Sequence, residues 1–247
     1  MGKLFIVGLG PGSRDHMTGR AIQVLKEADV VVGYKTYTDL LGDLVEGKEV
    51  LETGMKEEIK RAKMAVERAR DAKVALVSSG DPGVYAMGSI VMEYLKENDL
   101  SVEVEVVPGV TSANAAAALL GSPLGHDHAS ISLSDLLTPW EEIENRIEKA
   151  AKGDFVIMLY NPRSKGREWQ LEKAVEILKK YRPGDAPVGI VRRAMRNGEE
   201  VEISTIDKLL KHDIDMLTIV IIGNSETFEY QGWMVTPRGY KGRGMKE

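Results

Sequence analysis

The sequence predicts two α/β domains with mixed β-sheets, and three observations carry that expectation. Short β-branched runs alternate with amphipathic segments of helical period, as in chains that pack helices on a sheet. Loops rich in glycine and proline follow directly on several of those runs. Midway, the turn-formers Gly121-Ser122-Pro123-Leu124-Gly125 interrupt the pattern before a second series begins, which sets the domains at residues 1–121 and 122–247. A chain of 247 residues is long enough to give each half a buried core.

The first strand spans residues 3–7 and runs into Gly8-Leu9-Gly10-Pro11-Gly12-Ser13, which approaches a dinucleotide fingerprint and then departs from it. The pattern G-x-G-x-x-G needs a third glycine where Ser13 stands, and Pro11 stiffens the bend. The next apolar run, 30–32, ends in Gly33-Tyr34-Lys35, with no carboxylate to hold a ribose. The opening turn therefore suits a ligand reached through backbone atoms and lacking a pyrophosphate. Residues 57–71 place Ile59, Ala62, Val66 and Ala69 at helical spacing opposite a charged face, as a crossover helix does. Further strands are expected at 74–77 and 102–107, then at 129–133, 155–160, 188–191, 200–204 and 217–222. Helices are expected at 139–151, 169–181 and 205–211. Arg196-Asn197-Gly198 reads as a hairpin turn, so the second sheet should contain antiparallel neighbours.

Composition narrows the function classes. Hydrophobic residues at 43% and charged residues at 29% are those of a soluble globular protein, and no apolar run approaches the length of a membrane span. The chain enters a strand at once, without a leader, so a cytoplasmic protein with no membrane partner is expected. The absence of cysteine excludes disulfides, thiolate nucleophiles and cysteine-ligated metal clusters. Two of the four histidines lie in Gly125-His126-Asp127-His128, a polar loop with no further ligand at metal spacing, and no metal is expected. A net charge of −5 argues against nucleic acid as a partner. The basic residues nevertheless gather late in the chain, as Arg163, Lys165 and Arg167, as Arg192, Arg193 and Arg196, and as Arg238, Lys241 and Arg243. Each group alone reads as a solvated face or tail; together they suit a polyanionic small molecule.

Ligands of open α/β sheets bind beyond the carboxyl ends of strands, so the loops that follow strands carry the functional reading. Besides the opening turn these are Ser78-Ser79-Gly80-Asp81-Pro82-Gly83-Val84-Tyr85, Pro108-Gly109-Val110-Thr111-Ser112, Tyr160-Asn161-Pro162-Arg163-Ser164 and Arg192-Arg193-Ala194. Each by itself reads as an ordinary turn, with glycine supplying positive φ and Asp or Thr capping a helix. Their joint occurrence marks a site.

Gly8-x-Gly10-Pro11-Gly12, Ser79-Gly80-Asp81-Pro82-Gly83 and Pro108-Gly109-x-Thr111-Ser112 resemble the three N-domain loops of the tetrapyrrole methylases, and the likeness covers nearly the whole chain. Within that superfamily, the stretch Pro123-Leu-Gly-His126-Asp127-His128-Ala-Ser-Ile-Ser132-Leu-Ser134-Asp135-Leu-Leu-Thr138-Pro139-Trp140 and the run Asn161-Pro162-Arg163-Ser164 are similar to the C17-methyltransferases of precorrin-3B or cobalt-precorrin-3. His128 departs from the pattern, which has an aromatic residue there. The resemblance implies the tetrapyrrole-methylase fold, S-adenosylmethionine in the interdomain cleft, S-adenosylhomocysteine as product, and a homodimer. It assigns cofactor contacts to Pro11, to Ser79, Gly80, Asp81 and Val84, to Thr111 and Ser112, and to Tyr160 and Ala194.

A polycarboxylate tetrapyrrole would meet Asn161, Arg163, Arg192 and Arg193, since arginine binds carboxylate as a bidentate fork. The family reaction links methylation at C17 to ring contraction, which needs proton transfers, and His126, Asp127, Ser132 and Asp135 are the candidates. Asp135 also reads as a cap or turn before Thr138-Pro139, and Trp140 as core. The alternatives are another precorrin or uroporphyrinogen methylase, the branch that modifies a histidine-derived residue of a translation factor, a non-catalytic tetrapyrrole-binding module and an NAD-dependent oxidoreductase. The Asn-Pro-Arg-Ser and Thr-Pro-Trp runs oppose the first two. Retention of every cofactor loop opposes the third, and the missing glycine opposes the last.

Overall fold

The computed structural model describes residues 2–240; Lys241 and Arg243 of the terminal basic group lie outside the described residues. The chain divides into two units, Met1–Ser112 and Ala113–Glu247. The first is built from β1 (Lys3–Gly8), α1 (Gly19–Glu27), β2 (Val30–Tyr34), α2 (Lys35–Thr38), β3 (Glu49–Thr53), α3 (Glu58–Arg68), β4 (Lys73–Ser78), α4 (Met87–Glu97) and β5 (Val104–Val107). Helix α5 (Ser112–Leu120) leads into the second unit, where Leu120 occupies the space left by the missing side chain of Gly189. The turn cluster at 121–125 therefore lies inside the second unit.

The first sheet has the order β3-β2-β4-β1-β5, and every pair in it is parallel. The expectation of mixed sheets is corrected here: each strand reaches the next through a helical crossover, and no hairpin interrupts the series. Its strands read as apolar runs because both faces are covered. Phe5 and Val7 of β1 join a core with Ala21, Val24 and Leu25 of α1. Leu4 and Ile6 join the opposite core with Ala62 and Val66 of α3 and Val91 of α4.

In α3 the buried stripe is Arg61, Ala62, Ala65 and Val66, continued by Ala69 just past its end, whereas Ile59 in the first turn is 64% exposed, contrary to its expected place in the core. Arg61 takes the buried position there, donating to Thr53 Oγ1 at 2.7 Å and to the Gly54 carbonyl at 2.8 Å.

The second unit comprises β6 (Gly121–Ser122), β7 (His128–Ser132), α6 (Trp140–Lys152), β8 (Val156–Tyr160), α7 (Trp169–Leu178), β9 (Pro187–Arg192), β10 (Glu200–Thr205), β11 (Thr218–Ile222), β12 (Phe228–Tyr230) and β13 (Trp233–Val235). Its main sheet, β10-β9-β11-β8-β7, is mixed as expected: β7 and β8 are parallel, and the other neighbours antiparallel. The hairpin joins β9 to β10 with Arg192 opposite Glu200. These directions bring the carboxyl ends of β7, β8 and β9 to one edge. Ile143, Ile147, Leu171, Ala174 and Leu178 cover a face formed by Ile157, Leu159, Val188 and Val220. Trp140 packs on that core as expected. The helix expected at 205–211 shrinks to a 3-10 turn at Leu209–Lys211, because β10 continues through Thr205. A small third sheet, β12-β13-β6, completes the unit.

At the outer edge of the first sheet Arg20 forks onto Glu105, at 2.7 and 2.9 Å, and Lys3 reaches the same carboxylate at 3.1 Å. The Arg20 guanidinium, helped by Lys3, holds the Glu105 carboxyl below the usual carboxylate range. A depressed carboxylate stabilises the fold above its unfolded pKa, near 4.3, and loses that contribution as pH falls through the folded value. Glu105→Gln should therefore lower the melting temperature slightly at neutral pH, within the ~1 kcal/mol of solvent-screened pairs, and flatten the acid limb of melting temperature against pH. An unchanged acid limb in thermal melts from neutral to acid pH would refute this role.

Candidate functional site

The three glycine loops of the first unit leave the carboxyl ends of β4, β1 and β5, which are adjacent in the sheet. They are joined backbone to backbone. Gly10 and Gly80 exchange hydrogen bonds of 3.1 and 2.8 Å, and Leu9 N–H donates to the Ser78 carbonyl at 2.9 Å. Approach this close excludes side chains: a Cβ on Gly109 would lie 2.2 Å from the Gly80 carbonyl oxygen, and one on Gly8 2.7 Å from the Gly109 nitrogen. Gly10 and Gly80 also sit at φ +73° and +67°, in the left-handed region that glycine tolerates. Asp81 accepts from Gly83 N–H at 2.8 Å through Oδ1 and from Gly109 N–H at 3.0 Å through Oδ2, which ties the second loop to the third. Helix α1 does not begin at the glycine turn. A 3-10 turn at Arg14–His16 intervenes, and Thr18 caps α1 by accepting from Ala21 N–H at 3.1 Å, so α1 does not present its N-terminus directly at the glycine turn as the helix of a dinucleotide site does.

Pro11, Ser79, Gly80, Asp81, Val84 and Thr111 thus come together on three neighbouring loops, with Ser112 at the start of α5. Residues 8–12, 78–86 and 108–112 contain one carboxylate, Asp81, and no lysine or arginine. That donor set is backbone amide, hydroxyl and carboxylate. It suits a cationic ligand and repels none of its charge.

In the second unit, Ser132 and Tyr160 end neighbouring parallel strands in register, and Ala194 follows β9 at the same edge. Ser132 Oγ accepts from Asn161 Nδ2 at 3.0 Å and from Ser134 N–H at 3.2 Å. Asn161 is held at φ +51° and Arg193 at φ +54°, non-glycine residues in the left-handed region, a strain that often marks functional loops. The Tyr160 hydroxyl accepts from Ala113 N–H at 3.3 Å, and Tyr160 and Ala194 are each buried to 7% exposure. Asp135 accepts from Gln170 Nε2 at 2.9 Å; it staples its loop to α7 and caps no helix, since the N-cap of α6 is Pro139.

The four proton-transfer candidates are not gathered. His126 and Asp127 are exposed before β7, with Asp127 N–H donating to His126 Nδ1 at 2.9 Å, while Ser132 and Asp135 lie at and beyond its far end. Strand rise separates the two pairs by roughly 13 Å or more.

Two of the basic residues are already engaged by groups of the protein itself. Arg192 is paired with Glu200 and Asp213, and its pKa is raised by the hydrogen bond it donates to Glu200 and by the charge of both carboxylates. Arg167 is buried, donating to the carbonyls of Leu133 and Asn161 at 2.9 and 2.8 Å. Arg163 remains at the edge, with an ion pair to Glu172 at 3.9 Å and a buried Nε that has no partner among the described residues. Arg193 N–H donates to the Leu217 carbonyl at 2.9 Å.

Sequence reasoning passed over a groove of about 550 Å³ at the carboxyl ends of β2 and β3, bordered by Tyr34, Lys35, Asp39, Glu52 and Met55. The turn after β2 was visible as Gly33-Tyr34-Lys35, but β3 was not expected as a strand, so the groove had no second wall. Among the described residues no group of His, Asp and Glu is arranged to hold a metal, and no helix is long and apolar enough to cross a membrane.

A family model described as Tetrapyrrole (Corrin/Porphyrin) Methylases matches residues 3–210. The chain is 49% identical over 245 residues to the cobalt-factor III methyltransferase of Priestia megaterium, an alignment that covers 97% of this chain and 45% of that protein. It is 48% identical over 238 residues to the probable cobalt-factor III C(17)-methyltransferase of Salmonella typhimurium, covering 96% of this chain and 99% of that one. The chain thus spans less than half of the first relative and nearly all of the second. The crystal structure of the methyltransferase CobJ matches with a TM-score of 0.89 at 36% identity, covering 96% of this chain and 100% of that one.

Proposed function

Because this chain belongs to the tetrapyrrole (corrin/porphyrin) methylases, we propose that it methylates C17 of precorrin-3B or its cobalt-containing counterpart in cobalamin biosynthesis, with linked ring contraction. The names of the Priestia and Salmonella relatives favour the cobalt-containing substrate. One observation carries the choice of cofactor: the three glycine loops, closed on one another by backbone hydrogen bonds, offer the carboxylate of Asp81 and no cation. S-adenosylmethionine, when bound, supplies an electrophilic methyl on a positively charged sulfonium.

The protein's part is positioning, which can account for most of the acceleration in an in-line displacement. Gly80 and Gly109 let backbone atoms approach the ligand, while Pro11, Ser79, Asp81, Val84, Thr111 and Ser112 orient it, with Tyr160 and Ala194 contributing from the second unit. Arg163 and Asn161 receive the substrate's carboxylates, and Ser132 and Asp135 are the proton-handling groups for ring contraction. We assign cofactor binding chiefly to residues 1–121 and substrate selection to residues 122–247. The protein would work in the cytoplasm as a homodimer, releasing S-adenosylhomocysteine.

Incubation with methyl-labelled S-adenosylmethionine and either the cobalt-containing or the metal-free precursor, followed by mass analysis, tests this. One labelled methyl on the cobalt substrate is expected. Label on neither, or calorimetric binding of NAD without binding of S-adenosylhomocysteine, would overturn the assignment.

A further inference from the structure

Two leucines in the Ser-Leu-Ser-Asp-Leu-Leu-Thr-Pro-Trp run stand in water. Leu137 is 98% exposed and Leu136 is 71% exposed, whereas Leu133, three residues before Leu136, is fully buried. A single exposed leucine needs no explanation. An adjacent pair on a loop that is tied down on every side does.

The loop 133–139 and its neighbour 161–168 leave the carboxyl ends of β7 and β8 side by side, and the connection begins with Leu133 N–H donating to the Tyr160 carbonyl at 2.9 Å. Asn161 then bonds Ser132, and Arg167 holds the carbonyls of Leu133 and Asn161 together. Further on, Gln170 fixes Asp135. At the far ends the rings of Trp140 and Trp169 meet edge to face, with centroids 4.9 Å apart. The two loops are therefore joined into one platform. It displays Leu136 and Leu137 on one limb and, on the other, Arg163, whose Nε is buried without a partner among the described residues.

We propose that Leu136 and Leu137 form an apolar rest for the flat macrocycle of the substrate, with Arg163 on the adjacent limb taking one carboxylate of its rim. The proposal rests on the tetrapyrrole-methylase reading given above and identifies a specificity-determining element for it. The chemistry matches on both sides: a tetrapyrrole has a broad apolar face bordered by carboxylates, and the paired loops present an apolar pair on one and, on the other, the Arg163 guanidinium, whose ion pair to Glu172 is a long 3.9 Å. A second copy of the chain is the other occupant an exposed leucine pair could have. The hydrogen bonds that tie the leucines' loop to the loop of Asn161 and Arg163 favour the substrate, and the experiment separates the two.

The double variant Leu136→Ala/Leu137→Ala, the conservative Leu136→Met/Leu137→Met and the wild type would be titrated with the cobalt-containing tetrapyrrole by visible absorption and with S-adenosylhomocysteine by calorimetry. Light scattering would give the mass of each. The alanine variant should bind the tetrapyrrole on the order of thirtyfold more weakly, because two truncated side chains no longer cover the apolar face of the ring, with the methionine variant near wild type. S-adenosylhomocysteine affinity and mass should be unchanged in both. Unaltered tetrapyrrole affinity, equal weakening of both ligands, or a halved mass with tetrapyrrole binding intact would each overturn the proposal. If the double variant does not fold, Leu137→Ser at the fully exposed position serves for the same titrations. Failure of the wild type to bind any tetrapyrrole would instead sink the methylase reading, and this inference with it.

Discussion

Gly109→Ala is expected to abolish measurable S-adenosylhomocysteine binding and to lower the melting temperature by roughly 6–12 °C, since overpacking of this kind costs about 3 kcal/mol and each kcal/mol shifts the melting temperature of a chain this long by roughly 2–4 °C. The Cβ it introduces would lie 2.2 Å from the Gly80 carbonyl oxygen and 2.9 Å from the carbonyl carbon and oxygen of Gly8, so the third loop must move off both others. All of these neighbours are backbone atoms, which cannot rotate aside as a side-chain tip can. The displacement also breaks the bond from Gly109 N–H to Asp81, at 3.0 Å, and with it the staple between the second and third loops. Misplacement of binding groups by about 1 Å costs on the order of a hundredfold in function, so the loss of ligand should exceed the loss of stability.

Gly19→Ala is the control. Nothing lies within 4 Å of its would-be Cβ at the first position of α1, and alanine there should leave binding intact and stability level or slightly higher. Calorimetry and thermal melts on both variants check the pair. Retained S-adenosylhomocysteine affinity in Gly109→Ala would show that the closure of these loops does not build the site.

How much of this was legible before the fold was known depends on where the information lies. Strands β1, β2 and β4 announce themselves, because burial on both faces demands an unbroken apolar run such as Val30-Val31-Val32. Strand β3, Glu-Val-Leu-Glu-Thr, lies at the sheet's edge with exposed glutamates at Glu49 and Glu52, and its composition says little. The third sheet was illegible for another reason: Gly121 and Ser122 pair with Met234 and Val235, a contact that no local pattern encodes.

The site divides in the same way. Glycines at 8, 10, 80 and 109 were readable as a set, since each follows a strand. That Asp81 spans two loops depends on the adjacency of β1, β4 and β5, which only the sheet order supplies. The arginines misled most. Clustering in sequence tells how many guanidinium groups a loop carries, but not whether they face inward, as Arg167 does, or are neutralised across a hairpin, as Arg192 is by Glu200.

Arg167→Met should destabilise the protein by about 3–5 kcal/mol, or on the order of 10 °C in melting temperature, and weaken tetrapyrrole binding more than S-adenosylhomocysteine binding. Methionine fills most of the volume, so the loss comes from polar groups left without a donor. The carbonyls of Leu133 and Asn161, at 2.9 and 2.8 Å from the guanidinium, would both lose a charged hydrogen bond. Each such loss costs about 1–3 kcal/mol when the acceptor stays buried. Lysine should recover only part, because one compact ammonium cannot reach two carbonyls as the planar fork does.

Burial pulls the Arg167 pKa down and the nearby Asp135 charge raises it, but the shift starts from a value far above neutrality. The side chain therefore stays charged through the whole working range, and the destabilisation should be the same at neutral and mildly alkaline pH. A loss that varied across that range would point to another titrating group. The ligand asymmetry follows from position. Arg167 fixes the limbs that carry Asn161, Arg163 and the leucine pair and bonds to none of the three glycine loops, so its removal loosens the second unit's edge and leaves the Gly10–Gly80 closure as it was. Equal losses of the two ligands in Arg167→Met would mean that this edge serves the cofactor as much as the tetrapyrrole.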